Sequence, residues 1–585
     1  MLLKLLLIIK KPLLHISNLS LSFGQGKERL KVLQAVDLSI YKGGLLALVG
    51  ESGSGKSVTS LMTMQLIPNW ENHLESGEIW FEKDGKTIAI HESTEKEMQS
   101  IRAKEIAMIF QEPMTALNPS MTCGAQLYEV IGQHLKLTKS ENRARCFELF
   151  DSVELPDPHR IYNSYPHQLS GGQKQRVMIA MALSCNPKIL IADEPTTALD
   201  VTVQKEVLDL IKRLLQKHQM GCLFISHDLE LVREVADYIA VMQNGIIVEY
   251  KSSSELFKNP SHAYTKALLA CRPALTKNLK SLATVSDFLN KPSFKLQDFY
   301  AQNEQSLAQV KTKRDAYYAK PPVLEVQALT KIYTDKSFFG KRNSLKALNK
   351  VSLSLYEGEC LGIVGESGCG KSTLGKCIIQ LEKQTSGTLS YLGEPIERLL
   401  SKTPLKYRKS VQMIFQDPAS ALNPKMKIGA ILVEVMKVHG IGNSNLERKQ
   451  KAEDLLCKVG LKAAHYNRYP HAFSGGQKQR IGIARALALE PKIIICDESV
   501  SALDVSVQAQ VLNLLNELKE AFSLSFLFIS HDLTVVKHFC DRIIVLNSGE
   551  IEEVGFPEEL FESPKSAYTK RLIDSIPGNR IQIQL

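Results

Sequence analysis

The sequence predicts an α/β protein that contains the same domain twice, each copy built on a mostly parallel sheet. The pattern G-x-x-x-x-G-K-[ST] occurs as GESGSGKS at 50–57 and as GESGCGKS at 365–372. Both segments follow short apolar runs, which are typical of buried parallel strands. The chain has 585 residues, whereas a single core stops growing at about 250–300 residues. Two domains are therefore expected.

Matching landmarks along the chain support the duplication. The copies are 315 residues apart at the lysines of the two loops, but 304 apart from the Ser-Gly-Gly segments through to the FISHD segments. About ten extra residues of the first copy therefore lie between its loop and Gln111, and we expect them in the polar stretch near 82–98. The expected organisation is an N-terminal extension at 1–12, a domain at 13–271, a linker with some helix at 272–321 and a domain at 322–585.

The N-terminal stretch MLLKLLLIIKKPLL is too short to span a membrane, because Lys4 interrupts it and a spanning helix needs about 20 apolar residues. We expect a disordered or packed extension, with weak contact to a membrane surface as the alternative. No other apolar run reaches spanning length, so we do not expect this chain to form a membrane pore.

Composition is that of an ordinary globular protein, with 44% hydrophobic and 23% charged residues. The net charge of +10 permits an anionic ligand, a membrane surface or nucleic acid and selects none of them. The eleven cysteines form no CxxC pair. Free thiols in a reducing compartment are expected, without structural zinc or an iron–sulfur cluster.

The two glycine-rich loops fit phosphate binding, because their glycines let successive backbone N–H groups face the phosphate oxygens of a nucleotide. The lysine of each loop would neutralise the β- and γ-phosphates, and the serine after it would ligate Mg²⁺. The residues expected at the nucleotide are Gly50, Ser52, Gly53, Gly55, Lys56, Ser57 and Val58, and Gly365, Ser367, Gly368, Gly370, Lys371, Ser372 and Thr373.

An Asp-Glu pair ends an apolar strand in each copy. Asp193 and Asp497 are placed to hold the Mg²⁺ shell, and Glu194 and Glu498 to accept a proton from, or orient, the water that attacks the γ-phosphate. Such a pair on its own would be interpreted as a helix N-cap. Behind two phosphate loops, the catalytic interpretation is favoured.

Other polar side chains follow neighbouring strands. His227 and His531 end apolar runs, and we expect them to sense the γ-phosphate, although a single histidine more often only satisfies nearby backbone. Gln111 and Gln416 also follow apolar runs and are candidates for contact with the metal or the attacking water.

A second anion cradle is expected where LSGGQ and FSGGQ open strongly helical segments. Because one domain does not need two cradles for one γ-phosphate, the economical interpretation is that the cradle of one half closes over the nucleotide of the other. The cradle residues are Ser170, Gly171, Gly172 and Gln173, and Ser474, Gly475, Gly476 and Gln477.

These motifs, together with the Ala-Leu-Asp segments at 198–200 and 502–504, resemble those of ATP-binding cassette (ABC) ATPases over 13–273 and 322–577. The resemblance implies ATP as substrate, an antiparallel β portion and a helical signature subdomain in each half, and two composite ATP sites at the interface between the halves. It also implies that an aromatic residue before each loop stacks on adenine, which here would be Phe23 and Tyr333.

One position departs from the family pattern. The segment that begins with the Asp-Glu pair is DEPTTALD in the first copy and DESVSALD in the second, which has Ser499 where the family usually has proline. Serine there would loosen the following turn slightly. Since both glutamates and both histidines are present, we expect two competent hydrolytic sites, the second of them slower if the two differ.

Three further pairs of segments resemble the dipeptide/oligopeptide importer ATPases, whose fused forms serve peptides, glutathione and microcin C. They are EPMTALNPSMT and DPASALNPKMK after the glutamines, TTALDVTVQ and SALDVSVQAQVLNLL, and the tails at 259–273 and 563–577. The likeness to the fused microcin C and oligopeptide form is the strongest. It implies two transmembrane permease subunits, a periplasmic or extracellular substrate-binding protein, and peripheral attachment to the cytoplasmic face of the bacterial inner membrane.

Two rival classes remain. Tandem ABC proteins that act on ribosomes usually have Asn-His before Leu-Asp, where this chain has Thr-Ala and Ser-Ala, and those of DNA repair carry zinc modules that these cysteines cannot form. We therefore expect no nucleic-acid partner. An exporter or drug-resistance ATPase of the same fold is the other alternative.

Overall fold

The computed structural model describes residues 11–24, 29–68, 72–197, 199–273, 275, 277–291, 294–335, 343–501 and 503–576. It divides into two compact units, which are described separately below. The described residues of the first are those up to Leu199 together with Val203–Leu269, and those of the second are Asp200–Thr202 and the chain from Ala270 onward.

The described part of the first unit holds a four-stranded antiparallel sheet and a six-stranded, mostly parallel sheet, in the orders β2-β1-β4-β5 and β10-β9-β3-β8-β7-β6. The strands are β1 Leu14–Phe23, β2 Leu30–Ile40, β3 Leu45–Val49, β4 Asn72–Lys83, β5 Lys86–Ala89, β6 Ile106–Ile109, β7 Ile189–Asp193, β8 Gly221–Ser226, β9 Tyr238–Gln243 and β10 Ile246–Ser252.

Helices of the first unit connect these strands and form a separate helical region between β6 and β7. They are α1 Lys56–Thr63, α2 Glu95–Ile101, α3 Pro113–Ala116, α4 Cys123–His134, α5 Lys139–Ser152, α6 Pro158–Asn163, α7 Gly171–Leu183, α8 Val201–His218, α9 Leu229–Arg233, α10 Ser253–Lys258 and α11 Ala263–Ala270, with 3₁₀ turns at Ile90–Glu92 and Pro166–Gln168.

The core of the first unit lies between its two sheets. Every residue of β3, β7 and β8 is buried, as expected for central strands that are covered on both faces. One apolar cluster joins Leu19 of β1, Leu48 of β3 and Met62 of α1. The antiparallel sheet and the phosphate-loop helix are thus packed on the same side of the parallel sheet's central strand.

The second unit repeats this plan, with sheets in the orders β12-β11-β14-β15 and β16-β17-β18-β13-β19-β20. Its strands are β11 Leu324–Asp335, β12 Asn343–Leu355, β13 Cys360–Val364, β14 Ser386–Tyr391, β15 Glu394–Pro395, β16 Val411–Ile414, β17 Ile493–Asp497, β18 Ser525–Ile529, β19 Arg542–Asn547 and β20 Glu550–Gly555.

The helices of the second unit begin with three that precede its first strand. They are α12 Val285–Asn290, α13 Leu296–Asn303, α14 Leu307–Tyr318, α15 Lys371–Ile378, α16 Ile396–Lys402, α17 Pro404–Ser410, α18 Ile428–Val438, α19 Asn445–Lys458, α20 Gly475–Leu487, α21 Val505–Phe522, α22 Leu533–Phe539, α23 Pro557–Glu562 and α24 Ala567–Asp574, with 3₁₀ turns at Ala463–Asn467 and Pro470–Ala472. The predicted fold class, two tandem domains each with a mostly parallel core sheet, an antiparallel portion and a helical subdomain, is confirmed.

The extra residues of the first copy lie in more than one place. The copies are 315 residues apart at the phosphate loops, but 310 apart at Gly77 and Gly387 and 308 apart at Gly85 and Gly393, glycines that all have positive φ. Half of the insertion therefore precedes Gly77, and most of that half lengthens β4, which begins at Asn72, five residues before Gly77, whereas β14 begins at Ser386, one residue before Gly387. The placement near 82–98 is wrong for this half of the insertion.

The segment that the sequence suggests as a linker packs on the second unit. Leu279 and Leu282 are buried. Arg314 donates to both carboxylate oxygens of Glu558, at 2.7 and 2.8 Å. The side chain of Asn513 on α21 accepts from the N–H of Leu282 and donates to its carbonyl, both at 2.8 Å. Residues 277–291 and 294–320 therefore form a layer that belongs to this unit.

None of the eleven cysteines forms a disulfide bond, and every one but Cys457 is buried. None of the helices in the described part of the chain combines the length and apolar composition that a bilayer crossing requires. The predicted N-terminal extension, 1–12, lies almost wholly outside the described residues, which begin at Lys11.

Replacing Asn513 with Ala should loosen the layer formed by residues 277–291 and 294–320. The change leaves both backbone groups of the buried Leu282 without their partners, and each such loss costs about 1–3 kcal/mol. Limited proteolysis should then cut N513A faster within 277–291 than the wild type. Asn516→Ala is the matched control, because Asn516 makes one long, exposed bond of 3.4 Å to the same layer. Equal cleavage rates for N513A and N516A would contradict this view.

Candidate functional site

The phosphate-loop sequence forms the turn from a central strand into a helix in each unit. The loop leaves β3 and enters α1 in the first unit, and it leaves β13 and enters α15 in the second. A Cβ atom on Gly50 would lie 2.2 Å from the carbonyl oxygen of Met242, and one on Gly365 would lie 2.1 Å from that of Leu546. Glycine is therefore required here because the loop crosses the neighbouring strand at backbone contact distance.

The lysine of each loop is buried against the loop's own carbonyl groups. Lys56 Nζ donates to the carbonyl oxygens of Gly50 and Glu51 at 2.7 and 2.8 Å, and only 4% of the residue is exposed. Lys371 repeats both bonds at 2.8 Å to Gly365 and Glu366. Each loop thus holds a desolvated cation at its centre.

The features of each loop fit a phosphate group. α1 and α15 begin without a side-chain cap and without an acidic residue in the first turn, which leaves the positive helix end for an external anion. Gly53 and Gly368 have φ of 79° and 82°, and a Cβ there would meet nothing within 4 Å. The loop therefore curves around open space in which the backbone N–H groups of a glycine-rich turn bind oxygen.

A hydroxyl and a carboxylate meet beside each lysine. Ser57 Oγ donates to Asp193 Oδ1 at 3.1 Å, and Ser372 Oγ donates to Asp497 Oδ1 at 2.8 Å. These are hard oxygen donors, and Mg²⁺ is usually bound by one or two carboxylates together with substrate phosphates. Among the described residues, no group of three or more His, Cys, Asp or Glu side chains could hold a metal ion. The phosphates of a bound nucleotide would therefore have to supply further ligands. The donor set fits Mg²⁺.

The two aspartates have raised pKa values. Burial raises the pKa of Asp193 to about 6, and the hydrogen bond from Ser57 opposes that effect. Burial also raises the pKa of Asp497, against the hydrogen bond from Ser372. A nearby cation would lower both values, because it favours the charged carboxylate.

Glu194 and Glu498 adopt left-handed backbone conformations, each with φ of 47°. Their N–H groups donate to Ile225 and Ile529 on the adjacent strands. A non-glycine residue in this region costs about 1–2 kcal/mol. This turn directs the side chain of each glutamate away from that of the preceding aspartate.

The turn brings each glutamate to the predicted histidine and glutamine. Glu194 Oε2 lies 3.3 Å from His227 Nδ1 and accepts from Gln111 Nε2 at 3.1 Å. The second unit has the same arrangement around Glu498 Oε2, with His531 at 3.3 Å and Gln416 at 2.8 Å. This cluster forms because β6, β7 and β8, and likewise β16, β17 and β18, are parallel neighbours whose carboxyl ends meet at one edge.

The cluster keeps the glutamates ionised. Burial would raise the pKa of Glu194, but the hydrogen bond and charge of His227 outweigh burial and lower it to about 2. The pKa of Glu498 is lowered below its usual value by His531 in the same way. In turn, Glu498 raises the pKa of His531 against the effect of burial. Adjacent acids in the sequence therefore have opposite pKa shifts.

The two units differ in one contact to this carboxylate. Thr197 Oγ1 donates to Glu194 Oε2 at 2.8 Å, whereas the matching Ser501 donates to the main-chain carbonyl of Glu498, also at 2.8 Å. The turn itself is the same, since Thr197 and Ser501 donate their N–H groups back to the glutamate carbonyls at 3.2 and 3.3 Å. Ser499, in the place of proline, thus leaves this backbone turn intact.

The Ser-Gly-Gly segments begin α7 and α20 as capping boxes. Ser170 and Ser474 cap the helices through the N–H groups of Gln173 and Gln477, whose side chains return the bond. The serines and first glycines are exposed. The structure therefore places the predicted cradle residues at the exposed start of a helix. This helix is not the one that the phosphate loop of the same unit enters.

The two glycines of each segment have different environments. A Cβ on Gly475 would meet nothing within 4 Å, and one on Gly171 would touch Leu199 at 3.5 Å. In contrast, a Cβ on Gly172 or Gly476 would clash with Val203 or Val507 at 2.7 or 2.4 Å. The second glycine therefore allows close helix packing, which the sequence interpretation did not anticipate.

Phe23 and Tyr333 occupy matching places on the antiparallel sheets. Phe23 ends β1, and Tyr333 lies near the end of β11. Tyr333 is 36% exposed, and Lys331 Nζ lies over its ring, 4.8 Å from the ring centre. Stacking of these two residues on adenine stays a prediction.

The tail tyrosines, Tyr264 and Tyr568, are residues that the sequence interpretation missed. Their hydroxyl oxygens accept from the N–H groups of Glu51 and Glu366 within the phosphate loops, both at 3.0 Å. The sequence signal that could have identified these tyrosines is the Ala-Tyr-Thr-Lys segment that is repeated in the two tails. The sequence analysis used the tails only as evidence for the resemblance to the importer ATPases.

Two models of known protein families match this sequence, each of them in both halves. The family model described as ABC transporter matches residues 33–197 and 348–501. A second, described as the C-terminal region of oligopeptide/dipeptide transporters, matches residues 248–292 and 553–584. Each half therefore carries both.

Full-length relatives are also similar to this chain. The glutathione import ATP-binding protein GsiA of Pectobacterium atrosepticum is 41% identical over 582 residues, which cover 98% of this chain and 90% of the relative. The protein of the same name from Escherichia coli O6:H1 is 42% identical over 567 residues, covering 96% of this chain and 89% of the relative.

The different environments of the two glycines lead to a testable contrast. Gly475→Ala should leave the free energy of unfolding unchanged or slightly higher, because Ala is a better helix former and its Cβ has room. Gly476→Ala should lower it by about 1–3 kcal/mol through overpacking against Val507. Denaturant unfolding of the full chain measures both. Val507→Ala in the G476A background should recover stability, and failure of that rescue would show that the clash is not the cause.

Proposed function

Because the chain belongs to the family of ABC transporter ATP-binding proteins, in its oligopeptide/dipeptide transporter group, we propose that it is the ATP-hydrolysing, energy-coupling subunit of a membrane importer for peptides or peptide-like compounds. The observation that carries the proposal is that each half combines a phosphate loop, its Asp-Glu-His-Gln cluster and the oligopeptide-type C-terminal region. The relatives reported above are named for import of glutathione, which is itself a small peptide.

Each half would bind the triphosphate of ATP through its loop. Lys56 and Lys371 would exchange their bonds to loop carbonyls for the phosphate oxygens, a stronger charge-assisted contact. Ser57, Asp193 and Gln111 in the first half, and Ser372, Asp497 and Gln416 in the second, would hold Mg²⁺. The metal would supply neutralisation of the charge that develops on the phosphates.

The glutamates would position the attacking water. With a pKa of about 2, Glu194 is a weak base while His227 and Gln111 are bonded to it. A γ-phosphate near His227 offers that ring a second anionic partner. Transfer of the histidine to the phosphate would raise the basicity of Glu194 at the moment when the water must be oriented. The same sequence would operate at Glu498 and His531.

On the basis of the family resemblance, we propose that the Ser-Gly-Gly segment of each half completes the ATP site of the other. The exposed, capped helix starts at Ser170 and Ser474 supply anion-binding N–H groups that suit this role. Moving a two-state system from 1:99 to 99:1 needs about 5.5 kcal/mol. Charge-assisted hydrogen bonds contribute about 1.5–3 kcal/mol each, so two new contacts at each site suffice.

The segments after the glutamines would receive the membrane subunits. In the first unit the segment exposes Glu112, Thr115 and Asn118 around a buried anchor, Leu117. In the second unit, Leu422 is the buried anchor. We propose that these surfaces bind short helices of two permease subunits at the cytoplasmic face of the bacterial inner membrane. A substrate-binding protein on the far side would deliver the peptide.

Replacing Glu194 and Glu498 with Gln in one chain should abolish turnover while preserving ATP binding. Loss of a positioned proton acceptor lowers the rate about 10²–10⁴-fold, and the neutral amide leaves the loop unchanged. Steady-state phosphate release measures the first effect, and ATP retained after gel filtration measures the second. Glu206→Gln, at an exposed partner of Arg176, is the control that should behave as wild type. Wild-type turnover in the double variant would refute these roles.

Affinity purification of the tagged chain from membranes tests the importer assignment. We expect two multi-spanning subunits to co-purify, and expect uptake of labelled di- and oligopeptides to stop in a deletion strain and return with the wild-type gene. The E194Q/E498Q chain should restore complex formation but not uptake. Recovery with ribosomes or DNA, or peptide efflux instead of uptake, would favour the rival classes.

A further inference from the structure

The C-terminal tail of each half reaches the phosphate loop of the same half through one tyrosine. Tyr264 lies in α11 and Tyr568 in α24, and their residues are 0% and 5% exposed. Each hydroxyl oxygen accepts from the N–H of the residue after the loop's first glycine, Glu51 or Glu366, at 3.0 Å. The contact is made twice, with the same atoms and the same length.

The peptide group that receives this contact also holds the loop lysine. The carbonyl of Gly50 and the N–H of Glu51 belong to one peptide plane; Lys56 Nζ donates to the carbonyl at 2.7 Å, and Tyr264 accepts from the N–H. In the second unit Lys371 and Tyr568 bind the same two sides of the plane. Since a peptide group is planar and rigid, fixing its N–H fixes the direction of the carbonyl on which the lysine rests.

Each tail helix is itself held at its start by a carboxylate from the edge strand. Glu249 of β10 accepts the N–H groups of Ser261 and His262 at 2.8 and 3.0 Å. Glu553 of β20 accepts those of Lys565 and Ser566 at 2.9 and 3.1 Å. A carboxylate that accepts the free N–H groups of a helix start binds strongly.

The anchoring carboxylates are strong partners in both halves. Burial would raise the pKa of Glu249, but Lys251, the nearby Thr265 hydroxyl and the two backbone N–H groups lower it to about 2. The pKa of Glu553 is lowered in the same way. The edge strand, the tail helix and the tyrosine therefore form one continuous connection to the loop.

The family comparison gives this connection a boundary. The matches to the oligopeptide/dipeptide C-terminal region begin at residues 248 and 553, beside Glu249 and at Glu553. They include both tail helices and both tyrosines. The part of the chain that marks this transporter group thus contains the whole connection except the loop that it contacts.

We propose that Tyr264 and Tyr568 are positioning residues that fix the first peptide of each phosphate loop, so that the C-terminal region of each half sets the affinity of that half for nucleotide. The inference rests on the proposed function, since it requires that the loops bind ATP. Without the hydroxyl, the N–H of the loop's first peptide loses this bond, and nucleotide binding must supply the part of the order that the tyrosine gives.

Tyr264→Phe and Tyr568→Phe test the proposal, because each removes one oxygen and keeps the buried ring. In the full chain, the double variant should bind a non-hydrolysable ATP analogue about 3- to 10-fold more weakly, the equivalent of one ordinary hydrogen bond at each site. The kcat at saturating ATP should stay within about twofold, with the loss in KM. Each single variant should show one weakened and one normal site.

Amide hydrogen exchange supplies a readout that does not depend on activity. Peptides that contain Glu51 should exchange faster in Y264F, and peptides that contain Glu366 should exchange faster in Y568F, each without change at the other loop. Where a phenylalanine variant fails to fold, Glu249→Gln or Glu553→Gln replaces it; these weaken the anchor of the helix and should change affinity in the same direction by a smaller factor.

Tyr407→Phe is the matched control. Tyr407 is a buried tyrosine of the second unit whose hydroxyl donates to the carbonyl of Ile378, at the far end of the helix that Lys371 begins. If Tyr568 acted only through stability, Y407F and Y568F would change nucleotide affinity alike, and that result would overturn the inference. Unchanged affinity and exchange in the double variant, with normal binding by the wild type, would also overturn it. A wild type that binds no nucleotide would instead refute the proposed function.

Discussion

The parallel order of the central strands is the constraint on which each candidate site depends. Parallel neighbours present their carboxyl ends at one edge. Four features therefore meet there: the loop after β3, the acids at the end of β7, the histidine after β8 and the glutamine after β6. They meet although 177 residues separate Gly50 from His227 in the sequence. An antiparallel arrangement would send alternate strand ends to opposite edges. Because the second unit has the same strand order, it assembles the same kinds of side chain at similar distances.

The strained glutamates show what this edge requires. A left-handed φ at Glu194 and Glu498 is unfavourable for a side chain with a Cβ, yet it occurs in both halves. An extended conformation would continue the strand, whereas the turn directs the glutamate toward the histidine and leaves the aspartate with the serine. Opposite pKa shifts follow: burial dominates at Asp193, and His227 dominates at Glu194. Local strain thus separates two adjacent acids into two environments.

The sequence predicts those features that a local motif determines. The fold class, the repeat and the strand ends follow from apolar runs and glycine spacing, and the predicted lysines, serines, acids, histidines and glutamines lie together in each unit. It does not predict features that depend on how closely two distant segments pack in the folded chain. The clash that forbids a Cβ at Gly476 and the contact from Tyr568 to Glu366 depend on segments distant in the sequence. Positive φ at a glutamate has no compositional signal, because propensity alone argues against it.

The differences between the halves lie in side chains rather than in the backbone. Proline and Ser499 occupy the same turn, which closes with the same hydrogen bonds in both units. Thr197 reaches the carboxylate of Glu194, but Ser501 reaches only the backbone of Glu498. A hydrogen bond to the ionised carboxylate favours the charged form and so weakens the base. By this argument Glu498, with one donor fewer, is the more basic of the two glutamates, which counters any loss of rigidity from the missing proline and supports hydrolysis at both sites.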